Sequence, residues 1–124
     1  MDINREELAW AAGLFDGEGH SSLAFRQRKS TKYASILVDV SQRDRRVLDR
    51  FQVAVNGIGH VYGPYTNGMH SYRVNNFEGV QAVIAMIYQF LSPVKQQQCL
   101  NTLKQYHEWW PTIKHKSGRP LKYK

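Results

Sequence analysis

The sequence of 124 residues has a single cysteine, Cys99, and no long apolar segment. One cysteine excludes a disulfide within the chain and fits a reducing compartment. No stretch approaches the ~20 apolar residues that a membrane-spanning helix needs. The first residues, Met-Asp-Ile-Asn-Arg-Glu-Glu, have neither the apolar run nor the cleavage site of a secretory signal. These absences predict a cytoplasmic protein without a membrane partner, and they leave an organellar origin open.

Spacings typical of common metal and cofactor sites are also missing. The five histidines show no H-x-x-x-H spacing and no cysteine partner, which argues against a zinc site. An EF-hand loop beginning at Asp16 would need glutamate at its twelfth position, where Gln27 stands. A dinucleotide fingerprint would need a third glycine in place of Ser22, and it should follow a strand. We therefore expect no small-molecule cofactor.

What the chain does carry is positive charge, concentrated in one segment. Its net charge is +7 and its sequence pI is about 9.7, a balance typical of proteins with a polyanionic partner. Residues 20–46 contain seven basic and two acidic residues, and so hold most of the excess. This clustering favours a nucleic-acid surface over scattered, solvated lysines. The length and the 42% hydrophobic content fit one domain with its own core.

A helix predicted near the N-terminus ends in acidic residues. Asn4 is a suitable N-cap with Glu7 three residues later, and the pattern then reaches Asp16 and Glu18 beside glycines. Carboxylates at the negative end of a helix dipole are disfavoured by roughly 0.3–1 kcal/mol each. Next to the unpaired carbonyls of a helix end, however, they are suitable ligands for Mg²⁺. The alternative, ordinary turn residues flanked by glycines, explains the pattern equally well.

Small residues recur along the same helix and indicate a close contact. A stripe of small side chains lets another backbone approach, and Gly13 supports this because glycine costs a helix about 0.5–1 kcal/mol relative to alanine. A tight contact within the chain is the alternative. The residues proposed to contact a second copy of the chain are Ala9, Ala12, Gly13, Asp16 and Gly17.

The segments after this helix predict an α+β domain with the order α-ββ-α-ββ-α-α. Alternating apolar and polar residues bounded by turn residues indicate strands, which are expected at 20–28, 33–41, 58–62 and 69–75. Helical spacing and capping residues indicate further helices, which are expected at 44–55, 77–91 and 93–110. The domain is predicted to span residues 1–110, followed by a basic, loosely ordered tail at 111–124.

Four antiparallel strands with helices on one face leave the other face open to a ligand. Arg26 and Arg28 alternate with the apolar Leu23 and Phe25, and are therefore expected on the open face. The residues proposed to contact nucleic acid on this face and at its edges are Ser22, Ala24, Arg26, Arg28, Lys29, Lys32, Ser35, Asp39, Arg43, Tyr62 and Arg73.

The segment Ala12-Gly13-Leu14-Phe15-Asp16-Gly17-Glu18-Gly19 resembles the signature of the LAGLIDADG homing endonucleases, with glutamate in place of the final aspartate. The resemblance covers roughly residues 5–110 and implies the same element order, with the open sheet face used as a DNA saddle. It implies that the motif helices of two domains pack together. It also implies that Glu18 and the carbonyl of Gly17 bind catalytic metal ions, whereas Asp16 shapes the end of the helix.

Three further positions look like parts of the family's active site. Gln42, at the end of the second strand, stands where the family has a glutamine that positions solvent. Lys95 resembles the active-site lysine, and Arg46 resembles a basic residue of the same pocket. Each of these residues alone is explained as well by an ordinary polar surface position. Their joint occurrence at compatible spacings is what favours a catalytic role.

One motif per chain implies a homodimer, because the two strands of duplex DNA are related by a pseudo-twofold axis. The expected function is that of a homing endonuclease, a hydrolase that uses Mg²⁺ to cut a long pseudo-palindromic site in double-stranded DNA. Such cutting serves the mobility of an intron or intein. A non-cleaving relative, acting as a DNA-binding regulator or an RNA-splicing maturase, is the first alternative. An unrelated small basic protein with a fortuitous motif is the second.

Overall fold

The computed structural model describes residues 3–29 and 31–117, and it confirms the α+β fold and the order α-ββ-α-ββ-α-α. The helices are α1 (Arg5–Glu18), α2 (Arg45–Ala54), α3 (Phe77–Ile87) and α4 (Pro93–Ser117), with a short 3₁₀ turn at Tyr88–Phe90. The strands are β1 (Gly19–Arg28), β2 (Thr31–Gln42), β3 (His60–Tyr62) and β4 (His70–Val74). None of the helices in these described ranges is long and apolar enough to cross a bilayer.

The four strands form one antiparallel sheet in the order β1-β2-β4-β3. Because side chains alternate along a strand, one face of the sheet carries the apolar set. Its buried members are Ile36, Val38, Val40, Tyr72 and Val74. They pack against apolar residues of all four helices to form the core. The opposite face is called the open face below, and the predicted alternation in β2 is confirmed.

The junction between α1 and β1 is tight. The Asn4 side chain accepts a hydrogen bond from the Glu7 backbone N–H at 3.0 Å and so caps the start of α1. At the other end, β1 begins with no intervening loop, and the Gly19 N–H donates to the Phe15 carbonyl. A Cβ at Gly19 would lie 2.2 Å from Phe15 Cδ1. Glycine is therefore required for the chain to turn over the Phe15 ring directly after Glu18.

The first hairpin is tighter than its sequence suggested. The strands pair as far as Arg28 and Thr31, whereas a loop of four residues at 29–32 was predicted. Lys29 makes the tight turn with a positive φ of 58°. Ser30 lies outside the described residues. The consequence is a longer β1–β2 ribbon, with Arg28 still in register with β2.

The last helix is longer than predicted. A stop was expected at Trp110 because Pro111 removes a backbone N–H, yet α4 continues to Ser117. The φ of proline, near −65°, is itself helical, so a helix can continue through a proline, although it loses one hydrogen bond and the ring crowds the carbonyl four residues earlier. α4 thus crosses the predicted boundary at residue 110. Residues 118–124 of the predicted tail lie outside the described part of the chain.

Candidate functional site

Asp16 is bound by the start of α4. Both of its carboxylate oxygens accept from the Ser92 backbone N–H, at 3.0 and 3.2 Å. Ser92 directly precedes α4, and its carbonyl accepts from the Gln96 N–H at 2.9 Å. The carboxylate therefore sits at the positive end of the α4 dipole, although it is at the negative end of α1. This contact gives a physical basis for the proposed role of Asp16 in shaping the end of α1.

We expect Asp16→Ala to lower the free energy of unfolding by about 1–3 kcal/mol, because the half-buried Ser92 N–H would lose its charged acceptor. Chemical denaturation measures this loss. Asp49→Ala, on the exposed surface of α2, is the matched control and should stay within about 0.5 kcal/mol of the wild type. Equal stability of the two variants would contradict the capping role of Asp16.

The first turn of α4 places Lys95 at the junction between α1 and β1. Its ammonium group donates to the carbonyl of Gly19 and lies 5.7 Å from the centre of the Phe15 ring. Further along α4, the Gln98 side chain accepts from the Ser21 N–H at 3.2 Å. Polar side chains of α4 thus bind the free edge of β1. This docking places a positive charge one residue from Glu18, at the negative end of α1.

Glu18 is the acidic residue of the motif that the fold leaves without a partner. It is exposed at the last position of α1, which has no basic residue in its final turn. Within residues 3–29 and 31–117, its carboxylate makes no hydrogen bond or ion pair with any group that the structure describes. No three histidine, cysteine or acidic side chains in these ranges lie close enough together to hold a metal ion. One chain therefore offers one carboxylate and the neighbouring Gly17 carbonyl.

Gln42 and Arg46 differ in what the structure shows around them. Gln42 ends β2 two residues beyond Val40, the register partner of Gly19, so it lies at the sheet end where α1 meets β1. Arg46 instead binds Asp44, the N-cap of α2, through Nε at 3.0 Å and Nη2 at 2.8 Å. Its side chain is 89% exposed. In the free chain, Arg46 is thus held by Asp44 at the start of α2.

The Asp44–Arg46 pair predicts a measurable titration. Hydrogen bonds from Arg46 lower the pKa of Asp44 from 3.8 to about 2. Its stabilising contribution is therefore present above pH 4 and is lost as the pH falls through 2. We expect Arg46→Gln to move the pKa of Asp44 back toward 4 in an NMR titration. Arg45→Gln serves as the control variant, because Arg45 pairs with Asp49 and not with Asp44. A wild-type pKa of Asp44 near 4 would contradict the ion pair in solution.

The stripe of small residues on α1 faces open space in the single chain. A Cβ built at Gly13 or at Gly17 meets no atom within 4 Å, and Ala9 is exposed. A tight contact within the described chain therefore does not explain these glycines. Ala12 was wrongly assigned to this face, since it is fully buried in the core together with Ala11. The helical period places Ala12 beside the buried Leu8 and Phe15, away from Gly13 and Gly17.

A row of polar side chains crosses the open face. The strand registers pair His20 with Asp39, Asp39 with Arg73, and Arg73 with His60. Within the row, Arg73 Nε donates to Asp39 Oδ1 at 3.0 Å. Sequence reasoning proposed both residues but not their contact, because β2 and β4 are separated by α2 and β3. It did not assign the two exposed histidines to the open face, although they have the same alternation as their neighbours.

The other residues proposed for the open face differ in how they are presented. Ser22 and Tyr62 are exposed, whereas Ala24 and Ser35 are half-buried register partners. Arg43 is exposed beyond the end of β2 and donates to the Asn67 carbonyl at 3.2 Å. Lys29 is exposed at the hairpin turn. The side chains of Arg26, Arg28 and Lys32 lie outside the described part of the structure.

Comparison with known proteins identifies a matching family. A family model described as LAGLIDADG endonuclease matches residues 11–107. No curated protein matches the chain significantly.

The fold is similar to that of several solved homing endonucleases. I-CvuI with a DNA target in 2 mM Mg has a TM-score of 0.72 and 21% identity, covering 82% of this chain and 68% of that chain. The archaeal intron-encoded I-Vdi141I, complexed with DNA, has a TM-score of 0.73 and 19% identity, covering 84% and 69%. I-SmaMI bound to cleaved DNA has a TM-score of 0.70 and 21% identity, covering 92% of this chain but 39% of its own. At these identities the similarity establishes the fold.

Proposed function

Because the chain belongs to the LAGLIDADG endonuclease family, we propose that it is a homing endonuclease. It would act as a homodimer that cuts both strands of a long, pseudo-palindromic DNA site with the help of a divalent metal ion. The observation that carries this proposal is the unpaired carboxylate of Glu18 beside an exposed stripe of glycine. Both features are unfavourable or unexplained in one chain. A second chain at the same surface would pack on the glycines, and a divalent cation held between the two chains would offset the charge of the Glu18 carboxylates.

The exposed glycines of α1 support the proposed dimer. Gly13 and Gly17 present bare backbone to solvent, a surface that admits the backbone of another helix at close range. A C₂ dimer would contact itself through the same patch on both subunits, and it would match the symmetry of a palindromic site. Ala9 extends this contact face along α1.

The metal site would be completed across this contact. Each copy would bring one Glu18 carboxylate and one Gly17 carbonyl, a hard oxygen donor set of the kind that Mg²⁺ combines with substrate phosphate. Two carboxylates about 6 Å apart repel by roughly 3 kcal/mol at an effective dielectric constant of 20, so cation binding and dimer formation would be coupled. Bound there, a divalent ion supplies Lewis-acid activation of the attacking water and stabilises the leaving 3′ oxygen.

Other side chains would stabilise the in-line displacement. As the water oxygen bonds to phosphorus and the bond to the 3′ oxygen breaks, negative charge grows on the phosphoryl oxygens. The Lys95 ammonium uses one of its three donors on the Gly19 carbonyl, which leaves two for this charge. Gln42, at the same end of the sheet, would order solvent through its amide. Arg46 would release Asp44 and bind a DNA phosphate instead, which the high exposure of its side chain permits.

Site selection tests the proposed function. Random duplex DNA incubated with the wild-type protein and Mg²⁺ should yield cut molecules that share one pseudo-palindromic sequence. Chelation by EDTA should stop the cutting, and Ca²⁺ in place of Mg²⁺ gives a condition in which binding can be followed separately. Cutting in EDTA, or cutting without any shared sequence, would contradict the proposal. Selective binding without cutting in Mg²⁺ would instead indicate a DNA-binding regulator.

A further inference from the structure

We propose that Arg73, oriented by Asp39, recognises a guanine in each half of the DNA site. This inference rests on the proposed function, and it deepens that function by naming one base of the substrate. Asp39 is a positioning residue in this account, and Arg73 is the residue that contacts DNA.

The contact between the two residues has a specific geometry. Arg73 Nε donates to Asp39 Oδ1 at 3.0 Å. The Arg73 side chain is 49% exposed, whereas that of Asp39 is 10% exposed. The two terminal nitrogens of Arg73 make no hydrogen bond or ion pair with the groups that the structure describes. The guanidinium is thus fixed at its inner edge by a carboxylate in the sheet, and its outer edge faces away from that carboxylate.

An acidic side chain is unexpected at this place. The open face is the proposed surface for a polyanion, where a carboxylate repels phosphate. Asp39 also neutralises Arg73, so the pair adds little to long-range attraction for the DNA backbone. The other ion pairs in the described residues involve helices α1 and α2 and lie off the open face, at Arg45–Asp49, Arg46–Asp44 and Arg50–Glu7. Orientation of Arg73 is therefore the role that fits Asp39 best.

An arginine whose Nε is held by a carboxylate favours one base over the other three. Asp39 removes part of the rotamer freedom that a free arginine loses on binding. The two terminal nitrogens then form a planar pair of donors. In the major groove only guanine offers two acceptors side by side, its O6 and N7. Adenine pairs an acceptor with a donor, thymine offers one acceptor, and cytosine offers a donor.

The registers also indicate where the guanine lies within the site. Arg73 shares a row with His20, which is two residues from Glu18 along the chain. Two residues span about 7 Å along the chain, and the two strand spacings from His20 to Arg73 add about 10 Å across the sheet, so the separation corresponds to a few base-pair steps. The hairpin tip at Arg28 is eight residues from His20, about 27 Å along β1. We therefore expect the guanine a few base pairs from the cut, rather than at the outer end of each half-site.

Selection of bound duplexes from a random library tests this inference, with Ca²⁺ present and the salt concentration held constant. The wild type should select guanine at one inner position of each half-site. Arg73→Lys keeps the charge but loses the planar fork, and Asp39→Asn keeps the size but loses the carboxylate. Each variant should reduce the preference for guanine at that position by roughly 5- to 150-fold, with other positions unchanged.

Asp49→Asn is the matched control, because it removes a carboxylate from an arginine pair on α2. It should leave every base preference unchanged. Asp39→Asn also removes a negative charge from the DNA face, so its affinity for random duplex should stay equal or rise, which excludes unfolding as the cause. Absence of guanine near the centre of a wild-type site, or an even loss at all positions in Asp39→Asn, would overturn this inference but not the endonuclease. A wild type that selects no sequence would overturn both.

Discussion

Replacing Glu18 by glutamine is expected to reduce DNA cleavage by about a thousandfold or more and to leave site-specific binding intact. The substitution keeps the size of the side chain but removes the charge that would hold a divalent cation at the end of α1. Metal ions contribute several kcal/mol to stabilising charge in such transition states, and each 1.4 kcal/mol corresponds to a factor of ten in rate. Cleavage of the selected site in Mg²⁺ and binding of it in Ca²⁺ would be measured on the same preparation.

Glu6→Gln provides the matched control for this experiment. Glu6 is an exposed acidic residue of the same helix, at its opposite end. It carries the same charge but lies away from the proposed metal site, so its loss should leave both cleavage and binding close to the wild type. If Glu18→Gln cuts DNA as fast as Glu6→Gln does, Glu18 is not the metal ligand, and the catalytic assignment fails.

Replacing Gly13 by leucine is expected to separate the dimer without unfolding the chain. The position is exposed in the single chain and a Cβ there meets no atom within 4 Å, so a larger side chain has room. Glycine also costs a helix about 0.5–1 kcal/mol relative to alanine, so the isolated fold should not lose stability. In the dimer, a bulky side chain in a close contact costs about 1–3 kcal/mol of association free energy. The twofold axis places one such side chain on each subunit, so the cost applies twice. The dissociation constant should rise by roughly 30-fold or more.

Sedimentation equilibrium and circular dichroism together measure this outcome. Gly13→Leu should sediment as a monomer at concentrations where the wild type is dimeric, and it should keep the circular dichroism spectrum of the folded wild type. It should also lose double-strand cleavage. Ala85→Leu, on the exposed surface of α3, is the control and should leave the mass unchanged. A dimeric Gly13→Leu variant with full activity would show that the glycine stripe is not the contact between subunits.

Local signals predicted most of the fold because they act over a few residues. Asn4 caps α1 as expected, and Asn76 caps α3 in the same way, since its side chain accepts from the Gly79 N–H at 2.7 Å. The alternation in β2 correctly assigned Val38 and Val40 to the core. Turn length and the effect of Pro111 were predicted less well, because they depend on how far neighbouring segments stay paired or helical.

The contacts that build the site could not be read from local patterns. The sequence predicted that Asp16 shapes the end of α1, but it did not identify the partner, because the Ser92 N–H that binds Asp16 lies 76 residues away. Small size alone did not distinguish the buried Ala12 from the exposed Gly13, since both fit a close-packed face. Such distinctions depend on the direction in which α1 lies on the sheet. Only the folded chain defines that direction.

The central claim is that two copies of α1 meet along their glycines and bring both Glu18 carboxylates to the DNA strands that are cut. A crystal structure of the protein with its selected duplex and Ca²⁺ tests this claim most directly. We expect the α1 helices in contact at Gly13 and Gly17, with cation density between each Glu18 carboxylate and a scissile phosphate. A complex in which α1 faces solvent and Glu18 lies far from the phosphates would contradict the claim.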